Sequence, residues 1–279
     1  MAGHRGIVIG ALTWNLFHGR DDPPDRSLLT WRSRLLGVTE RGMTHAGVNA
    51  PLRDAFAGWL ARRSWDVALL QEAPPRWLEA LGRRSGASGA LALTSRNWLP
   101  RVRARLADWN PDLMASAEGG SNQVLVREPA RILEVRRLSL THVPERRRML
   151  WALVEVRGGA RLAVANVHLS AHHPPAAGRE LERAATQAVD WAGADPLLLG
   201  GDLNLRPARD PAPFDWLRDL LRFSRPGEPE AIDHLLARGL EPVRGPASLT
   251  PEERDVRGPD ELRVRLSDHA PVRGEFRFA

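Results

Sequence analysis

The chain has no cysteine, no tyrosine and, although it carries 40 basic residues, no lysine. Without cysteine there is neither a disulfide framework nor a thiolate metal site, and the compartment is not legible from redox chemistry. Cytoplasm is the default expectation. No run of about 18 uninterrupted apolar residues is present, so a membrane-spanning helix is not expected. The N-terminal stretch 1–15 has basic residues ahead of Ile7 to Leu12, but Thr13 and Asn15 interrupt the apolar run and no small-residue cleavage pattern follows; it reads as a first strand rather than a secretory signal. The absence of lysine leaves all positive charge to arginine, the better bidentate partner of phosphate. A chain so rich in Arg, Ala, Pro and Gly also fits biased codon usage, so its net charge of +6 permits a nucleic-acid partner without requiring one.

What is present is a globular composition, 43% hydrophobic and 27% charged over 279 residues, enough for a substantial core. The most informative stretch is Leu197 to Asn204. Leu197, Leu198 and Leu199 have the length of a strand buried on both faces, and Gly200 and Gly201 allow a turn or a close backbone approach. Asp202 and Asn204 follow, two residues apart and so pointing the same way in extended chain. A carboxylate at the end of a buried strand is costly unless a cation or an active site uses it. The plain alternative is an Asx-turn in which both side chains bond their own backbone.

The same pattern recurs along the chain. Ile7 to Trp14 reads as a strand delivering Asn15, which shares a face with Ile9, Ala11 and Thr13. Residues 20–50 are polar, broken by proline and glycine, and read as a long loop with one short helix near 27–36; such a loop within a compact domain is usually functional or mobile. Leu52 to Arg63 has helical spacing, and Asp66 to Leu70 is a strand that presents Gln71 and Glu72 before Pro74 and Pro75. A helix is expected at 76–84, a strand at 90–93, irregular arginine-rich chain at 96–105, and strands at 122–127, 132–140 and 149–156. Arg146, Arg147 and Arg148 stand just before the last of these, as a solvated edge or a phosphate contact. Arg161 to Leu169 alternates with apolar residues on both faces, placing Asn166 and His168 at a partly buried strand end. His168 and His172 have the separation of a helical zinc pair, but the strand before them and Pro174-Pro175 after them oppose that helix, and His172 and His173 read as loop. A helix at 179–191 leads into the central strand. Another at 214–221 precedes an apolar strand at 231–236 that carries Asp233 and His234. Residues 242–259 read as loop, and Ser267, Asp268 and His269 precede a final strand at 272–278.

Asn15, Glu72, His168, Asp202, Asn204, Asp233, Asp268 and His269 thus all end or interrupt core strands. Each alone has an ordinary structural explanation, but a stable core does not gather four carboxylates, two amides and two imidazoles in this way without a use for them. Strands and helices alternate without a repeat, a low-complexity tract or a linker, which points to an α/β sandwich of two packed sheets with helices outside.

Six motifs in order, Trp14-Asn15, Leu70-Gln71-Glu72, Asn166-Val167-His168-Leu169, Gly201-Asp202-Leu203-Asn204, Ile232-Asp233-His234 and Ser267-Asp268-His269-Ala270-Pro271-Val272, resemble the series of the endonuclease/exonuclease/phosphatase superfamily, the fold of deoxyribonuclease I. The resemblance implies a four-layered α/β sandwich, with two mixed sheets flanked by helices, formed by residues 1–279 as one domain. It implies a Mg2+-dependent phosphoesterase, most simply a nuclease, with Mn2+ able to substitute. Glu72 would hold the metal with Asn15 and Asp268 close by; Asp202 and Asn204 would orient water and the phosphoryl oxygens; His168 would donate to the phosphate. His269, paired with Asp233, would be general base or electrostatic stabiliser, and Asn166, Arg147 and Arg148 would contact phosphate. The chain departs from the family in having no tyrosine, in placing His234 where an aromatic is usual, and in the 57 positions between Asn15 and Glu72, which imply an insertion at 20–50. A phosphomonoesterase or a phosphodiesterase acting on phospholipid or inositol phosphate is the alternative on the same fold. A non-catalytic nucleic-acid-binding module is the alternative of another class.

Overall fold

The computed structural model describes residues 6–94, 99–114, 117, 119–142 and 146–279. The elements, in chain order, are β1 (Val8–Asn15), α1 (Trp31–Leu36), β2 (Glu40–Arg41), β3 (Ala46–Gly47), α2 (Arg53–Arg62), β4 (Val67–Ala73), α3 (Leu78–Ser85), β5 (Ala87–Leu93), α4 (Pro100–Trp109), α5 (Pro111–Met114) and β6 (Ser121–Arg127). There follow β7 (Arg131–Thr141), β8 (Arg147–Glu155), β9 (Arg161–His168), α6 (Pro174–Ala192), β10 (Leu197–Asp202), α7 (Pro211–Leu221), β11 (Asp233–Arg238), β12 (Leu240–Ser248), β13 (Asp255–Arg257), β14 (Arg263–Arg265) and β15 (Val272–Phe278).

Two mixed sheets dominate. One has the strand order β12-β15-β1-β4-β6-β5, the other β11-β10-β9-β8-β7. Period-two alternation sorts each strand between two cores. Ile9, Ala11, Val67 and Leu69 of the first sheet meet Leu150, Val164, Leu198 and Leu235 of the second between the sheets. Leu12, Trp14, Ala68 and Leu70 point the other way, onto Phe56, Trp59, Trp77 and Leu81 beneath α2 and α3. Ala163, Ala165, Leu197 and Leu199 pack outward against α6 and α7. The result is the expected four-layered α/β sandwich. No helix among the described residues is long and apolar enough to cross a membrane.

Local chemistry explains the largest helix. Along α6, Ala177, Leu181, Ala184, Ala185, Ala188 and Ala192 form a buried stripe at helical spacing. His173, expected as plain loop, caps this helix: its Nδ1 accepts the Ala176 N–H at 3.1 Å, and Pro174 occupies the first helical position, where no N–H is needed.

Two expectations fail. Residues 242–259 are not a loop: β12 runs through Pro242 and Pro246, and β13 pairs with β14. Proline survives there because β12 is an edge strand, with register shifts, so its missing N–H interrupts no internal ladder. The arginine-rich stretch 96–105 is helical from Pro100 on, as α4, while residues 95–98 lie outside the described residues.

Candidate active site

The site lies where the facing surfaces of the two sheets run out of apolar residues. Register decides who meets whom. On the second sheet, Asp202 of β10 pairs with His168 of β9 on one side and with Asp233 of β11 on the other. On the first, Asn15 of β1 is level with Gln71 of β4. Gly201 allows this close stacking: at φ 135 a Cβ would strike the Val167 carbonyl of β9, and at Gly200 it would lie 2.7 Å from the His234 carbonyl.

Glu72 reaches the cleft through a bulge. Leu70 pairs with Gln123 and Ala73 with Ser121, so two residues of β4 oppose one of β6. Glu72 itself has φ 48, and Phe17, His18, Asn204 and Ser267 also adopt left-handed conformations, with φ between 49 and 61. Five non-glycine residues strained in this way at one edge of the molecule are what a functional site, fixed by its surroundings, tends to collect.

Asp202 is the hub. Its Oδ2 accepts the Asn15 Nδ2–H at 3.0 Å, its Oδ1 accepts the Asn204 backbone N–H at 3.1 Å, and the Asn204 side chain is tied to the Leu169 carbonyl at 3.0 Å. His168 Nε2 stands 3.5 Å from Asp202 Oδ2 and 3.9 Å from Glu72 Oε1. Burial and the adjacent Asp233 carboxylate push Asp202 up to about 7. Burial, reinforced by Arg147 and by the neighbouring histidines, holds His168 well below its ordinary value, so this imidazole is neutral.

His269 behaves in the opposite way. Its Nδ1 donates to Asp233 Oδ2 at 2.6 Å, and its Nε2 lies 3.9 Å from Asp202 Oδ2 and 4.0 Å from Asp268 Oδ1. Burial works against its positive charge, but Asp233, Asp202 and Asp268 outweigh burial and raise it to about 10. At neutral pH it is an imidazolium. In that form it offers positive charge to the cleft rather than a lone pair. The loop holding it is fixed by Trp14 Nε1 donating to the His269 carbonyl at 2.9 Å, and by Ser267 Oγ, which donates to the Asn15 carbonyl and accepts the His269 N–H.

Which groups suit a cation follows from their surroundings. Ligand atoms of Asp202, Asp233 and His269 lie within 4.8 Å of one another, with Asp233 engaged by the imidazolium. Glu72 and Asp268 are more open, with side chains 22% and 36% exposed. Burial, then the charge of Glu72, raises Asp268 above its usual range. Two hard oxygen donors in electrostatic contact, partly open to water, suit a divalent ion that keeps several of its own waters. The Asn15 oxygen accepts the Phe17 N–H at 3.0 Å, which orients the amide beside them.

Sequence reasoning missed three contributors. His18 Nε2 lies 3.2 Å from Glu72 Oε2. Arg20 is lowered from its ordinary value by burial, while Asp112, Asp268 and Glu72 pull it back up. Ser267 fixes two strand ends at once. His18 was discoverable: it follows Asn15 by three positions, just before Gly19, where the first strand leaves the core.

Asn166 requires a correction as a phosphate contact. It is fully buried one layer beneath the site, donating to the carbonyls of Leu70 at 2.9 Å and Gln123 at 2.7 Å and accepting from Gln71 at 2.7 Å. Its amide ties the sheets together and faces no cleft. Arg148 donates to Ser139 Oγ at 3.3 Å across the β7–β8 ribbon. Arg147, in contrast, is close enough to depress His168 and lines a cleft of about 640 Å³ beyond it with His172, His173, Arg179 and Arg183. The wall of this cleft is braced by Glu180, which accepts from both the N–H and the hydroxyl of Ser170. On the other flank, Glu228 and Glu230 join Asp233 and Asp268 around a shallower acidic hollow. His234 turns away from both: it is buried edge-on to Phe214, with centroids 5.2 Å apart, and its Nε2 lies 3.0 Å from the Ala231 carbonyl.

Residues 12–269 match the model of the Endonuclease/Exonuclease/phosphatase family. No curated protein matched the sequence. Among solved structures, the human Nocturnin catalytic domain with bound sulfate anion superposes with a TM-score of 0.65 at 14% identity, covering 98% of this chain and 95% of that one. A mannosyl-6-phosphatase from Bacteroides thetaiotaomicron gives 0.62 at 15% identity, covering 97% and 100%. An endonuclease/exonuclease/phosphatase family protein from the same organism gives 0.63 at 14%, covering 98% of both. At such identities the structural likeness concerns the fold.

Proposed function

The chain belongs to the endonuclease/exonuclease/phosphatase family, and from that premise we propose that it is a Mg2+-dependent nuclease hydrolysing the phosphodiester bonds of nucleic acid. The observation that carries this reading is the position of Asp202: it sits between a neutral and a charged histidine, and Arg147, whose charge reaches the neutral one, lines a neighbouring cleft together with Arg179 and Arg183. One phosphate at Asp202 and further phosphates along Arg147, Arg179 and Arg183 is the charge pattern of a polynucleotide. The acidic wall at Glu228 and Glu230 leaves room for anions on one side only, which favours the second reading, a phosphomonoesterase or a phosphodiesterase acting on phospholipid or inositol phosphate.

Glu72 and Asp268, with Asn15 beside them, would hold Mg2+, with Mn2+ able to replace it. When bound, the cation would supply positive charge to the phosphoryl group. Asp202, raised to about 7 and fixed by Asn15 and Asn204, accepts the proton of a water as its oxygen bonds to phosphorus. The ester P–O bond breaks, and the departing oxygen takes its electron pair and is protonated by water. His168 donates its Nε2–H to a nonbridging oxygen, and the His269 imidazolium, held by Asp233, opposes the negative charge that builds there.

The test is a panel of duplex DNA, single-stranded RNA, a small sugar phosphate and phosphoinositide vesicles, each with Mg2+ and with EDTA. Polynucleotide cleavage that EDTA abolishes and Mg2+ restores is expected. Turnover of the sugar phosphate or the lipid while both polynucleotides stay intact would overturn the nuclease assignment.

A further inference from the structure

Fourteen large apolar side chains of the described residues stand exposed, and ten of them fall in two short segments, 29–43 and 99–113. Exposed apolar residues scattered singly need no explanation, but a cluster marks a surface that is covered by something. A surface helix normally turns its apolar stripe inward. In α4 it faces out: Val102, Leu106 and Trp109 recur at helical spacing and are 52%, 42% and 66% exposed, while the small Ala107 is buried. In α1, Trp31 and Leu35, four residues apart, are 67% and 50% exposed, while Ser33 is buried.

The two helices are locked together. Asn110, at the end of α4, donates to the Arg34 carbonyl at 2.9 Å and accepts from Asn49 at 2.6 Å, and Asn49 also donates to the Ser33 carbonyl at 2.7 Å. This lock holds the two helices, and with them their outward apolar residues, beside one another. The two segments contain six arginines against three acids. Asp108 is already held by Arg76 at 2.6 Å, whereas Arg32, Arg34 and Arg105 make no salt bridge among the described residues. The face also adjoins the catalytic rim. Asp22 and Ser267 pair their backbones with Arg265 and Arg20, and Arg20 lies within electrostatic reach of Asp112 on α5 and of Glu72 and Asp268 in the site.

We propose that this face docks on an anionic lipid surface. Tryptophan with leucine on an exposed face, bordered by arginines that can extend to phosphate headgroups, is the composition of helices that lie in a membrane interface. A second copy of the same face would bring unpaired arginines against arginines, which disfavours self-association.

The experiment is co-sedimentation of the full chain with phosphatidylcholine vesicles and with vesicles in which a quarter of the lipid is phosphatidylglycerol, in Mg2+-free buffer at about 0.1 M salt. Neither hydrolysis nor a loaded metal is needed, so a failed nuclease assignment leaves this measurement intact. The chain is expected to pellet with the anionic vesicles and little with the neutral ones, and to be released as salt is raised. The double variant Trp31→Ser/Trp109→Ser is expected to bind roughly tenfold more weakly, with its circular dichroism melt and its activity on a soluble substrate unchanged. No pelleting, equal pelleting of the variant, or a wild-type dimer in sedimentation equilibrium that the double variant abolishes would each overturn the proposal.

Discussion

Two buried carboxylate–histidine pairs invite comparison, one at the candidate site and one outside it. At the cleft, His269 meets Asp233 at 2.6 Å; below the β13–β14 hairpin, His45 meets Asp255 at 3.1 Å. Burial is similar, with side chains 16% and 9% exposed in the first pair and 10% and 4% in the second. The difference is the third partner. Asp255 also receives Arg265 at 2.9 Å and 3.3 Å, and although burial pushes the other way, Arg265 and His45 hold it below its ordinary range. Its charge is matched and its hydrogen bonds are filled. Among the described residues Asp233 has no arginine partner; it faces Asp202, and its Oδ1 is buried without a hydrogen-bond partner. A charge fully matched inside the fold fastens one segment to another. A charge left partly unmatched at a cleft is available to a substrate or a cation.

The largest effects should fall on the unmatched group. Asp202→Ala and His269→Ala are each expected to lower kcat by about a thousandfold or more, with the circular dichroism spectrum unchanged, whereas His45→Ala should leave kcat within a few-fold. Comparable losses of activity in all three variants would erase the distinction drawn between the pairs. Next in size is Arg265→Ala, which leaves the Asp255 carboxylate buried without its main partner; urea denaturation should show a loss of about 3 kcal/mol, while kcat of the folded fraction is retained.

Asp21 sharpens the comparison as a third buried acid, with neither histidine nor arginine bonded to it. Burial raises it to about 7, although its Oδ2 accepts the Val48 N–H at 2.9 Å. The native state therefore holds a proton that the unfolded chain has already released, so stability should fall as pH rises from about 4 to about 7 and stay level above that. Asp21→Asn keeps an acceptor for Val48 and cannot ionise. It is expected to stabilise the protein by on the order of 2 kcal/mol at pH 8, with the gain shrinking toward pH 4; a gain independent of pH would show that Asp21 is ionised throughout. The smallest effect concerns Arg179, an exposed cation of the cleft with no salt bridge among the described residues. By the same logic it is reserved for an external anion: Arg179→Ala should raise KM for an oligonucleotide about fivefold at low salt, with kcat unchanged and the difference vanishing at high salt.

Much of the site was legible because strands obey a period of two. Asn15, Glu72, His168, Asp202, Asp233 and Asp268 could be recognised one by one as polar groups ending apolar runs, and the same alternation placed the apolar residues of β9 correctly on its two faces. Alternation does not say how deep a residue lies below the cleft. Asn166 and His168 share a face two residues apart, yet one is sealed between the sheets and the other opens to the site. Sequence reading also passed over His45 and Asp255, 210 positions apart, because neither stands at the end of an apolar strand and their pairing is made by the hairpin that brings β14 beside β3.

The sequence by itself determined the layered architecture, the set of strand ends that carry polar groups and the order of the motifs, since all three depend on local periodicity and on the cost of burying a charge. Only the tertiary structure decided that Asp233 takes His269, that Asp202 is left between carboxylates while Asp255 is clamped by arginine, and that the apolar stripe of α4 points outward. Those outcomes depend on which chain segments approach within a few ångströms, and on how much water is excluded when they do. Neither quantity is written in the spacing of residues along one strand.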